Sequence, residues 1–568
     1  MPRFRLPRTV VAVLLGSWAL ASAPASAAGS GFPVEIRIAA DRPTGPLKPI
    51  WRFFGADEPN YATAPNGRKL LGELGELRPK EVYFRTHNLL TSGDGTPALK
   101  WGSTGAYGED GQGRPIYDWT IVDGILEAGL RRGVRPYVQI GFMPEALSIR
   151  PHPYRHHWKP GAKYEEIYTG WAFPPKDYGR WEELVYQWTR HNVERHGTRE
   201  VEKWYWETWN EPNIGYWRGT REEFLRLHDH AVNGVRRALP SARVGGPDVA
   251  GGPGGTFLAE FLEHSLRGTN FATGKVGTPL DFVSFHAKGA PVITNGHVRM
   301  GIANQLRDID RAFAVIASFP EVRPKPIVIG ESDPEGCAAC QGPQLAYRNG
   351  TMYSSYTAAS FPRKLDLAER HGVNLEGALT WAFEFEDQPL FAGFRSLASG
   401  GLDKPVLNTF RMFSRMGGSR LEVASSSAVP LDQLLREGVR KAPDVSALAA
   451  RDGNRLQALL WHYHDDDVAG PDAEITVTWT GIGPTGVPVL RHHHRIDQEH
   501  GNAYAAWLRM GSPSSPTREQ FAALEKSGRL TELPLPEGVT RDGDRVVLRM
   551  RLPRQAVSLV EFELRPAR

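Results

Sequence analysis

The chain has 568 residues, too many for one ordinary hydrophobic core, so a large domain with a smaller companion is the starting expectation. Its 40% hydrophobic and 23% charged residues are those of a globular protein. The net charge of +4, from 68 basic and 64 acidic residues with no basic block, argues against a nucleic-acid partner.

The first 27 residues read as a targeting segment. Arg3, Arg5 and Arg8 form a basic head, residues 10–20 an apolar run, and Ala25-Ser26-Ala27 a small-residue cleavage site. The apolar run is far shorter than the roughly 20 residues that span a bilayer. Export to a periplasm or the medium is therefore expected, with a mature chain from Ala28 and no membrane attachment after removal. Residues 28–44 hold one alternating strand, 34–39 (VEIRIA), expected to pair into a second sheet at the far end of the chain.

Strand and helix patterns then alternate. Strand candidates are 50–55, 81–85, 135–141, 203–209, 242–246, 280–285, 326–330 and 375–383, rich in β-branched and aromatic residues. Helical periodicity falls at 68–77, 120–132, 178–196, 220–239, 256–266, 300–319, 345–371 and 405–416. Within 220–239, Thr220 and Glu223 make a capping box, and Phe224, Leu227, Ala231 and Val235 recur on one face. Eight strands alternating with eight helices predict an α/β fold, a (β/α)8 barrel over 45–417. A doubly wound open sheet is disfavoured because no Gly-rich phosphate loop follows an early strand, and no cofactor is expected. After Gly417-Gly418 the pattern changes to short strands at 456–462, 474–480, 487–493, 545–552 and 556–564, predicting a C-terminal β-sandwich domain over 418–568.

In a barrel of this type, chemistry is done at the carboxyl ends of the strands. His87 follows the second strand, Phe142 and Met143 the third, Asn210 and Glu211 the fourth, and His286 and Lys288 the sixth. Glu331 ends the seventh, and residues 381–386 run off the eighth. Glu211 and Glu331 thus face each other across the barrel, the arrangement a retaining glycosidase needs, with two carboxyl groups about 5–5.5 Å apart. Glu211 is expected to start protonated, raised by burial and by the charge of Glu331, which stays ionised. Asn210 beside the acid can hold a sugar 2-hydroxyl, and Trp381 is placed as a stacking platform. The competing reading, two carboxylates that merely cap helix starts, leaves their matched placement and the adjoining Asn210 unexplained.

The only cysteines, Cys337 and Cys340, can close a small disulfide in an oxidising compartment, stay as free thiols, or do redox or metal work. The histidine-rich runs His492-His493-His494 and His462–Asp467 fall in the predicted sandwich, where they read as incidental surface histidines rather than a metal site.

At this point the chain resembles glycoside hydrolase family 39, which holds β-xylosidases and α-L-iduronidases. The likeness rests on GPLKPIWRFFGADEPNY, YFRTHNLL, QIGFMPEAL, TWNEPN, FVSFHAKG, IVIGES and the C-terminal RIDQEHGNAYAAWLRMGSPSSPT. It implies Glu211 as acid/base, Glu331 as nucleophile, and His87, Asn210, His286 and Glu386 as contacts to the sugar in the −1 subsite. Lys288 stands where the iduronidases of the family have a lysine that meets the sugar carboxylate, and is either such a ligand or a structural ion-pair partner. The expected activity is that of an exported retaining exo-glycosidase on an oligosaccharide or glycoside, foremost a β-xylosidase releasing xylose from xylo-oligosaccharides. The rivals are an α-L-iduronidase-like or α-L-arabinosidase activity on the same machinery, or a non-catalytic carbohydrate-binding protein.

Overall fold

The computed structural model describes residues 31–483, 486–536 and 539–566; the targeting segment lies outside them. The first strand, β1 (Phe32–Pro46), runs away from the barrel and is taken up below. Eight further strands form one parallel sheet: β2 (Phe53–Ala56), β3 (Val82–Thr86), β4 (Val134–Ile140), β5 (Tyr205–Thr208), β6 (Arg243–Val249), β7 (Phe282–His286), β8 (Pro326–Glu331) and β9 (Asn374–Ala378). Neighbours pair in chain order. The sheet closes into a barrel through backbone bonds just beyond β9, from Thr380 N to Phe53 O at 2.9 Å and from Gly55 N to Thr380 O at 3.1 Å.

Eight helices wrap it: α1 (Pro65–Leu77), α2 (Thr120–Leu130), α3 (Tyr178–His196), α4 (Arg221–Ala238), α5 (Phe257–Arg267), α6 (Ile302–Ala317), α7 (Thr351–His371) and α8 (Pro405–Arg415). The capping box at Thr220 and Glu223 forms as the spacing predicts, each side chain bonding the other's backbone N–H. Phe224 and Leu227 are fully buried, each contributing roughly 1.5–3 kcal/mol by leaving water.

The C-terminal sandwich domain is built on a ten-stranded mixed sheet. After β10 (Ser419–Ser425), β11 (Asp444–Asp452), β12 (Arg455–Tyr463), β13 (Ala473–Thr480), β14 (Gly486–Ile496), β15 (Thr531–Glu532), β16 (Thr540–Asp542), β17 (Arg545–Leu552) and β18 (Val557–Pro566), the spatial order is β15-β14-β18-β12-β11-β10-β1-β13-β17-β16. Strand β1 pairs parallel with β13 and antiparallel with β10. On β12, Leu456, Ala458 and Leu460 turn to a core shared with Ile36, Val477 and Phe562, while Leu459, Trp461 and Tyr463 turn to the barrel's own core. The sheet is therefore dry on both sides here. Helix α7 is the seam, with Ser355 Oγ donating to Gln555 Oε1 at 2.7 Å and the Tyr356 ring 5.8 Å from Tyr463.

Four strands of this sheet, β10, β11, β15 and β16, escaped the sequence reading. In β11 the sequence DVSALAARD is alanine-rich and buried on both faces, so it shows neither strand propensity nor alternation. The histidine runs are corrected in part: His462, His464, His493 and His494 are buried against neighbouring elements, whereas His492 is partly exposed as the surface reading expects. Cys337 and Cys340 are disulfide-bonded, their Cα atoms 5.4 Å apart, and the Arg348 guanidinium donates to both their carbonyls.

Candidate active site

At the carboxyl end of the barrel, side chains from seven strand ends converge. The chain turns sharply after β5: Trp209 and Glu211 adopt φ of 70° and 43°, and Glu211 N bonds to Asp248 O at 3.0 Å. Such backbone is costly for non-glycine residues and is concentrated at functional sites. The residue before Glu331 must be glycine, since a Cβ on Gly330 would fall 1.9 Å from Asp248 Oδ1.

His286 bridges the two glutamates. Its Nδ1 is 2.8 Å from Glu211 Oε1 and 3.7 Å from Glu331 Oε1, so those two oxygens are separated by at most 6.5 Å. Lys288 also touches both, its Nζ paired with Glu331 and 3.8 Å from Glu211 Oε1. Behind His286, Nε2 meets Asp248 Oδ2 at 2.6 Å. Asp248 is paired in turn with Arg85, which donates to Glu207 Oε2 at 2.6 Å and Asn210 Oδ1 at 3.1 Å. Asn210 is wholly buried, yet its Nδ2 has no partner among the described residues.

A second chain approaches Glu331 from the other side. His87 Nε2 lies 3.9 Å from Glu331 Oε1, and its Nδ1 is 3.0 Å from Asp57 Oδ1. Asp57 is paired with Lys100 and accepts from Trp381 Nε1 at 3.3 Å. The Trp381 ring is covered by His87, with centroids 4.4 Å apart, and by the Arg85 guanidinium at 5.1 Å. At 2% exposure it is a wall behind His87 rather than an open platform. Glu386 stands apart: its Oε2 accepts from the Asn66 backbone in the first turn of α1 at 3.2 Å.

These contacts set the charges. For Glu211, burial pushes the carboxyl up, but Lys288 and then His286 outweigh it and pull it down to about 2. This corrects the expected protonated acid: that expectation counted burial and Glu331 but neither cation. Glu331 is lowered as well, against its burial, by Lys288 and His286. For His286 burial works downward, but Asp248, Glu331 and Glu211 raise it to about 10, leaving an imidazolium between two carboxylates. His87 goes the other way, lowered by burial with Arg85 3.2 Å from Nε2.

The structure thus gathers Glu211, Glu331, His87, Asn210, His286, Lys288 and Trp381. Four residues of the same cluster, Asp57, Arg85, Glu207 and Asp248, were not singled out in the sequence. Two paired carboxylates at barrel strand ends, held by histidines and lysine, suit glycosyl transfer to water.

Residues 34–536 match the description Glycosyl hydrolases family 39. The chain belongs to that family and is a glycoside hydrolase. A beta-xylosidase of Caldicellulosiruptor saccharolyticus is 27% identical over 431 residues, 74% of this chain and 79% of the relative. An alpha-L-iduronidase of Mus musculus is 26% identical over 588 residues, covering 96% and 83%. The solved structure of a monomeric beta-xylosidase from Caulobacter crescentus superposes with a TM-score of 0.69 over 93% of this chain and 99% of the other, at 23% identity, a likeness of fold. Among the described residues of this family 39 member no helix is long and apolar enough to cross a membrane.

Proposed function

We propose that this family 39 glycoside hydrolase is an exported retaining exo-glycosidase that releases xylose from β-xylosides by double displacement. The observation that carries the reading is the shared contact of Glu211 and Glu331 with His286, which caps their Oε1 separation at 6.5 Å, no wider than the narrow end of the roughly 6.5–9.5 Å range of inverting enzymes. Glu331, ionised and gripped by Lys288, attacks the anomeric carbon. Glu211 delivers a proton to the departing oxygen, then takes one from the water that cleaves the glycosyl-enzyme.

In the free site Glu211 lacks that proton, and His286 holds one 2.8 Å away. A sugar seated between the carboxylates displaces Lys288 from Glu211, raising that carboxyl's proton affinity with a donor already in reach. The orphaned Asn210 Nδ2 is a ready donor to the sugar 2-hydroxyl. Side-chain exposures of 11% for Glu211 and 4% for Glu331 suit a pocket that takes the end of a chain. The basic head and small-residue cleavage site of residues 1–27 support export.

Lys288 favours a second reading. Xylose offers its ammonium group no carboxylate, whereas an α-L-iduronide does. Hydrolysis of an aryl β-xyloside beside an aryl α-L-iduronide and an aryl α-L-arabinoside, by wild type, Glu331→Ala and Lys288→Ala, tests both. Xyloside turnover that vanishes in Glu331→Ala is the expected result. Turnover of the iduronide alone would overturn the xylosidase reading while leaving the two-glutamate mechanism.

A further inference from the structure

The histidine run on β14 is not absorbed by the glycosidase chemistry. His492 and His494 are two residues apart on one strand, so their rings share a face, nearly parallel at 9° with centroids 5.9 Å apart. The adjoining edge strand β15 brings Glu532 directly opposite His494. One ligand atom from each of the three residues can be chosen so that all lie within 4.8 Å of one another.

We propose that His492, His494 and Glu532 form a binding site for a divalent transition-metal ion of the Zn²⁺ type, separate from the barrel mouth. Two imidazoles and one carboxylate are a borderline-soft donor set that suits Zn²⁺ and leaves one tetrahedral position for water. The arrangement is partly preformed, with His492 Nδ1 2.7 Å from Glu532 Oε1. His494 is the second observation. It is 6% exposed, and neither ring nitrogen has a hydrogen-bond partner among the described residues, an arrangement a folded protein rarely leaves unanswered. A metal ion at the third corner answers it. His493 points the other way, its Nε2 3.4 Å from Ser558 Oγ. Arg415 is a nearby opposing charge, and its guanidinium is neutralised by Glu561 at 2.6 Å.

Such an ion would tie the edge strand β15 to β14 across the helical excursion between them, acting as a structural clip. The test uses the full mature chain, stripped with a chelator, dialysed and titrated with Zn²⁺ against a chromophoric competitor, with thermal unfolding alongside. One tight Zn²⁺ per chain is expected, together with a higher melting temperature. Affinity should fall at least tenfold in His492→Gln and in Glu532→Gln, and be lost in His494→Gln, with aryl-glycoside turnover unchanged in the first two. His492 and Glu532 are about half exposed, so these variants keep the test decisive even if His494→Gln fails to fold. Wild type that binds no Zn²⁺, or binds it no more tightly than His492→Gln and Glu532→Gln, would overturn the site.

Discussion

The barrel mouth and the sandwich sheet both bury histidines, and the two regions leave them in opposite charge states. At the mouth, three carboxylates overcome burial and hold His286 at about 10, a cation at neutral pH in the free site. In the sheet, His462 faces the Leu552 carbonyl and His493 the Ser558 hydroxyl; burial prevails, with Arg554 and Arg495 adding to it, and each sits at about 4. Depth is the same in both places. What differs is the formal charge of the neighbours, which a strand-and-helix pattern does not display. His87 is the control within the mouth: it has Asp57 for a partner, but burial, with Arg85 beside the ring, outweighs that carboxylate and moves it down rather than up.

The comparison breaks most violently at Arg85, the cation between Glu207 and Asp248. Arg85→Met leaves the wholly buried Glu207 without its cation and Asp248 with His286 alone, and an uncompensated buried charge costs about 3–5 kcal/mol. The urea midpoint should fall accordingly, with glycosidase activity lost, since Asp248 then no longer holds His286 in register. An unchanged midpoint would mean that the network is solvated and the charge argument fails.

Next in size is Glu211→Gln. Removing a general acid costs about 10²–10⁴-fold in rate, and the loss shrinks when the leaving group needs no proton. Turnover of xylobiose should therefore suffer more than that of a dinitrophenyl xyloside, whereas Glu331→Ala should abolish both alike. Equal losses on the two substrates in Glu211→Gln would take the acid role away from it.

Much of this was legible in the sequence. The barrel's alternation, the capping box at Thr220 and the two glutamates follow from periodicity and from where strands stop. The same strand-end rule applied to the first and fifth strands would have delivered Asp57, directly after Gly55-Ala56, and Asp248, directly after Gly246-Pro247. Arg85 and Glu207 carried a signal too: an opposite pair of charges, each inside an otherwise apolar strand, has to meet its partner. What could not be read was the protonation of Glu211. It depends on Lys288 and His286 arriving within 4 Å from a strand 75 residues away in sequence. In the ten-stranded sheet, β11 was hidden because a strand buried on both faces loses the alternation that announces it, and β15 and β16 because two or three residues are too few to show any.

Lys288→Ala sharpens the contrast by removing one cation from the mouth. Lys288 and then His286 hold Glu331 below its ordinary range, so without Lys288 its pKa rises. The ionised nucleophile is then lost at a higher pH on the way down. The acid limb of kcat/KM on an aryl xyloside should move upward, with the Glu331 strand otherwise intact. If the limb stays in place and only KM for an anionic sugar rises, Lys288 is a substrate ligand rather than the charge partner of Glu331.

The smallest effect tests the other region. His462 has its pKa lowered from 6.5 to about 4 in the fold, first by burial, so the unfolded chain binds its proton more readily. Stability therefore falls as pH drops from about 6.5 toward 4, by on the order of 1–2 kcal/mol at pH 5. The ring's Nδ1 donates to Leu552 O at 3.0 Å, a bond the amide of asparagine can reproduce without a titratable group. His462→Asn should melt somewhat lower at pH 7, because it fills less of the core. Its further drop between pH 7 and pH 5 should nevertheless be smaller than that of wild type. A drop as large as wild type's would place the acid sensitivity elsewhere, in the barrel's carboxylates, and would leave the sheet's neutral histidines without a share in it.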